Sequence, residues 1–108
     1  MYRRANLEEK PTMPAYAIGR LTMRDPSWLQ EYGPKVAGLV EKHGGKYLIR
    51  GGAMERLEGS GDLPSAMVVV EFPSMEQARA FYNDPEYAPM IKLRQSGSDL
   101  DFILVEGL

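Results

Sequence analysis

The chain has no cysteine, which excludes disulfides, thiolate nucleophiles and thiolate metal sites. Its single histidine, His43, is too little for a zinc-type ligand set, and no cofactor is expected. No apolar run approaches the roughly 18–20 residues that a membrane span requires. The start lacks the apolar core of a signal peptide. Cations are not in surplus either: 13 Lys and Arg against 15 Asp and Glu leave a formal charge of −2. The basic residues are scattered among acidic ones, which disfavours a nucleic-acid or anionic-membrane partner. Repeats and low-complexity tracts are also missing. These absences together point to a cytoplasmic protein of bacterial type.

What remains is an ordinary globular composition, 44% hydrophobic and 26% charged over 108 residues. That length holds one core. A domain this small buries roughly 60–65% of its unfolded surface and gains from oligomerisation. Residues 1–12 are polar, mixed in charge and without period, and read as a disordered or loosely attached arm. Residues 13–108 read as a single domain. Met13-Pro14 runs straight into the first strand pattern, so Met13 is an alternative start, which the mass of the native protein would decide.

Ala15 to Met23 alternates as a strand, with Tyr16, Ile18 and Arg20 on one face and Ala17, Gly19 and Leu21 on the other. Asp25-Pro26 supplies an N-cap and a first-turn proline. The apolar stripe Trp28, Leu29, Tyr32, Val36, Leu39, Val40 and His43 then reads as a helix. Pro34 predicts a kink or two consecutive helices, and Gly44 the left-handed stop. A second strand, Lys46 to Arg50, is expected to continue from Ala53 to Leu57 after a bulge at Gly51-Gly52. Ala66 to Phe72 is apolar on both faces except for Glu71, as in a strand covered on both sides. Ser74 to Gln77 forms a capping box for a helix with Met75, Ala78, Phe81 and Tyr82 inward. A short helix with Tyr87, Met90, Ile91 and Leu93 follows, then a last strand, Leu100 to Glu106.

The order β-α-β-β-α-β predicts an α+β, ferredoxin-like fold, four antiparallel strands with the helices on one face. The other face stays apolar and needs a cover, which a homodimer pairing two sheets provides. The segments MPAYAIGRLT, HGGKYLIRGG, VVVEFPSMEQARAFYNDPEY and the terminal VEG together resemble the domain-of-unknown-function family numbered 1330, one of the dimeric α/β-barrel proteins. The resemblance covers Met13 to Gly107. It implies a ferredoxin-like protomer paired into a barrel and assigns no activity. Other proteins on this barrel include cofactor-free monooxygenases, haem-degrading enzymes and ligand-binding stress proteins.

Arg50 and Glu71 are strong charges near the ends of otherwise apolar strands, and both match charged positions in the family's motifs. One reading is an anion clamp, with Arg50 holding a carboxylate or enolate while Glu71 orients it or moves a proton. The plainer one is a salt bridge that pins the sheet or the dimer register. His43, the one imidazole available as a general base or haem ligand, sits where a histidine usually caps helix carbonyls. Tyr16, Tyr32, Tyr47 and Tyr82, with Trp28, Phe81 and Tyr87, are candidates to line a ligand pocket, although ordinary packing accounts for most of them. Arg94 is a candidate second anion contact, with a solvated surface position the plainer reading. The glycine pairs lack the Lys-Ser/Thr and helix of a phosphate loop.

Three functions fit. The first is a dimeric barrel that binds a small, partly apolar, anionic or aromatic molecule and performs cofactor-free proton transfer or oxygenation on it. The second is a non-enzymatic ligand-binding or stress-response module with a structural Arg/Glu pair. The third is a haem-handling protein using His43.

Overall fold

The computed structural model describes residues 13–108; the expected arm over residues 1–12 lies outside the described residues. Strand β1, Ala15–Met23, leads to a 3₁₀ turn, Pro26–Trp28, and helix α1, Leu29–Lys42. Strands β2, Lys46–Arg50, and β3, Ala66–Phe72, follow. Helices α2, Met75–Tyr82, and α3, Ala88–Gln95, precede β4, Ser98–Glu106. The four strands form one antiparallel sheet in the order β2-β3-β1-β4, the ferredoxin-like arrangement.

Local signals set the element ends. The Asp25 carboxylate accepts from the Ser27 amide at 3.0 Å, and Ser74 Oγ accepts from the Gln77 amide at 3.1 Å; each satisfies a donor the first turn leaves open. Gly44, at φ 79°, takes the left-handed position after α1. Helix α1 runs through Pro34 as one helix, rather than as two consecutive helices. The interruption falls earlier, where the 3₁₀ turn gives way to α-helix. Pro34 forfeits one backbone bond, while buried Val36, Leu39 and Val40 beyond it hold the helix on the core.

The second strand also ends sooner than its sequence suggests. Gly51 and Gly52 stand at φ 85° and 97°, a conformation that turns the chain out of the sheet rather than bulging within it. Ala53 to Leu57 forms no strand. The irregularity lies inside β2 instead: Tyr47 faces Val70, yet Ile49 faces Val69 and Arg50 faces Val68, with a register shift between Tyr47 and Ile49.

One face of the sheet carries the core. Ala15 and Ala17 of β1 and Val70 and Phe72 of β3 pack with Val36, Leu39 and Val40 of α1, Ala78 and Phe81 of α2, and Tyr87. The small alanines of β1 leave room for the rings. The other face carries Tyr16, Ile18, Val69, Ile103 and Val105, by register and alternation. Ile103 is 57% and Val105 44% exposed.

Candidate functional site

Between the sheet and the helices the core is incomplete. A cavity of about 320 Å³ opens there, walled by Trp28, Tyr32 and Val36 from the first helical stretch, Tyr47 and Arg50 from β2, and Val68 and Val70 from β3. Phe81, Tyr87 and Arg94 close its helix side, and Leu100 and Phe102 of β4 complete the floor. The volume is in the range of small-molecule sites, and the walls are mostly apolar, as such sites usually are.

Its polar centre is Arg94, which is only 4% exposed. The sequence suggested a solvated surface arginine; α3 instead turns this residue inward. Nη1 donates to the hydroxyls of Tyr32 at 3.0 Å and Tyr87 at 2.9 Å, and these hydroxyls bond each other at 2.7 Å. Among the described residues Nε has no partner, and neither does the indole nitrogen of Trp28. Among the described residues no ion pair includes Arg94. Burying a cation without a counter-charge costs several kcal/mol. Burial pulls the Arg94 guanidinium down, and Tyr32 and Tyr87 more than offset it, so its pKa is raised overall. Burial likewise pushes the Tyr87 and Tyr47 hydroxyls up. All three groups therefore keep their protons at neutral pH.

Arg50 lies at the exposed rim, its guanidinium carbon 4.7 Å from the centre of the Tyr47 ring, within cation–π range. It does not meet Glu71. By alternation Arg50 would share a face with Lys46, and Lys46 stands opposite Glu71. The shift after Tyr47 turns Arg50 to the helix side, while Glu71 stays on the open face. There Glu71 accepts from the Tyr16 hydroxyl at 2.9 Å and lies 3.6 Å from Lys46 Nζ. That hydrogen bond, with burial, raises the Tyr16 pKa. The clamp and the salt bridge expected between Arg50 and Glu71 are thus both replaced by this arrangement.

The other candidates separate in space. Tyr32, Tyr47, Arg50 and Arg94 share the cavity, while Tyr16 lies across the sheet from it. Tyr82, 45% exposed, borders a smaller hollow of about 230 Å³ with Arg79 and Asn83, beyond Phe81 and Phe102. His43 puts Nε2 2.8 Å from Asp84 Oδ2, rather than on helix carbonyls. Its ring is not part of the cavity lining, where a haem ligand would have to be. The contacts of Asp84 with these residues gave no signal in the sequence, since it stands far along the chain from His43 and from Lys42, from whose Nζ it accepts at 2.9 Å.

The match to known proteins agrees with the fold. The family model for a domain of unknown function, DUF1330, covers residues 14–108. The chain belongs to that family. Among curated proteins no sequence matches it significantly. A protein of unknown function from Rhodopseudomonas palustris superposes with a TM-score of 0.74 at 22% identity, over 89% of this chain and 83% of its own. SnoaB, a cofactor-independent oxygenase from Streptomyces nogalater, gives 0.60 at 13% identity, over 87% and 92%. A Bacteroides fragilis protein described as dimeric and ferredoxin-like gives 0.58 at 12% identity, over 86% and 95%. At these identities the likeness is one of fold, and the DUF1330 protomer is a ferredoxin-like α+β unit.

Proposed function

We propose that this DUF1330 protein binds a small, partly apolar organic anion in the cavity between sheet and helices, and that it acts as a homodimer paired through the open sheet face. The observation that carries the reading is Arg94, a buried cation beside an apolar cavity with no carboxylate among the described residues to neutralise it. A ligand that brings the missing negative charge recovers Coulomb energy in a low-dielectric site. Arg50 at the rim draws the anion in, and the aromatic walls take its apolar body. On such a ligand Arg94 and its tyrosines stabilise negative charge on oxygen, the requirement shared by cofactor-free proton transfer and oxygenation. The fold shared with a cofactor-independent oxygenase supports that chemistry as the reaction class. Glu71, across the sheet, belongs to the dimer face in this account.

The test is thermal unfolding with and without benzoate or a naphthoate. These anions raise the midpoint of the wild type and leave that of Arg94→Met unmoved. Equal stabilisation of both proteins overturns the reading.

A further inference from the structure

The cavity is also unusual in which polar groups it offers. Six lining side chains carry hydrogen-bonding groups: Trp28, Tyr32, Tyr47, Arg50, Tyr87 and Arg94. Among the described residues, no lining side chain carries a carboxylate, imidazole, amine, amide or aliphatic hydroxyl. Tryptophan and arginine donate only. The Tyr32 and Tyr87 oxygens already accept from Arg94 Nη1. These two hydroxyls carry two hydrogens between them. One lies in the bond that joins them, and the partners of both hydroxyls are each other and Arg94. The second hydrogen therefore has no acceptor among the described residues. That spare O–H adds to the unpartnered nitrogens of Trp28 and Arg94.

A site with surplus donors and no base discriminates between the two forms of an acid. A neutral O–H ligand must place its own proton on an acceptor, and the lining side chains offer only the tyrosine oxygens and the weakly accepting sulfur of Met23. Its conjugate base accepts from the surplus donors and neutralises Arg94. Burial alone would raise an acid's pKa, but an opposite charge in contact lowers it by about 1–3 units, and hydrogen bonds to the anion lower it further. Carboxylic acids are already ionised at neutral pH and gain nothing from this. Phenols and enols do gain, and a flat conjugated one suits walls made of Trp28, Phe81 and Phe102.

Resting on the anion-binding reading above, we infer that the ligand class is a phenol or enol, bound as its oxyanion and ionised by the site itself. The O–H bond breaks, the electron pair stays on oxygen and the proton leaves to solvent, with no side-chain base and no change of oxidation state.

4-Nitrophenol is a direct probe, since its phenol and phenolate forms absorb at different wavelengths. Titrated into wild-type protein below its free ionisation midpoint, it develops the phenolate band, and its bound midpoint lies about one unit or more lower. Arg94→Met abolishes the shift, and Tyr87→Phe, which removes a hydroxyl from the cluster, reduces it. A bound probe that keeps the phenol spectrum, or a shift that persists in Arg94→Met, overturns this inference. Benzoate binding that depends on Arg94 would then still stand and preserve the broader reading. Failure of wild-type protein to bind either probe overturns both.

Discussion

Two buried charges, Arg94 and Asp84, show how differently one chain treats ions. Asp84 is fully compensated: it accepts from Lys42 at 2.9 Å, contacts His43 at 2.8 Å and takes the Glu86 amide at 2.9 Å. The His43 bond first, then those from Lys42 and the Glu86 amide, hold its pKa well below the ordinary 3.8. A carboxyl whose pKa is depressed on folding stabilises the fold above its unfolded value and loses that contribution as pH falls through the folded one. The stability advantage of wild type over Asp84→Asn should therefore shrink between about pH 5 and pH 2 in urea titrations. A constant difference across that window would contradict the assignment. Among the described residues Arg94 has no such partner, and the proposed anion site rests on that contrast. Neither environment was legible in the sequence. Lys92 and Gln95 beside Arg94 are exposed, so local pattern gives no sign that it turns inward. The partners of Asp84 come from the far end of another helix.

At the scale of elements, the alternation of β1 and the apolar run of β3 were readable because a strand's period leaves two choices of face. The capping box and Gly44 were readable because they are local. The fate of β2 was not. A register shift of one residue moves every later side chain to the other face, and here it sends Arg50 to the cavity and away from Glu71. No residue type between Tyr47 and Ile49 announces it. The open face follows from the same register: Ile103 stands opposite Ile18, and Val105 opposite Tyr16. An apolar surface of this kind calls for a partner. Wild-type protein should sediment as a dimer, and Ile103→Glu, at a position exposed in the protomer, should sediment as a folded monomer. A monomeric wild type would remove the sheet face from the account.

For the whole molecule, the helices cover one side of the sheet without filling the space beneath them, and the sheet's other side is left open. On the proposed function, recognition lies within each chain and assembly between chains, so a change on the open face should alter association without entering the cavity. No helix among the described residues is long and apolar enough to cross a membrane. Element order and sheet topology were legible from hydrophobic period and punctuation. The cavity was not, because an unfilled volume depends on how side chains from all seven strands and helices fail to meet, and sequence period shows only which way each points. The most direct test of the central claim is a crystal structure of the wild-type protein grown with 4-bromobenzoate, with the bromine located by its anomalous signal. The account predicts bromine among Val70, Phe81 and Phe102 with the carboxylate turned to Arg94. Bromine found only on the outer surface, with the cavity closed by protein side chains, would contradict it.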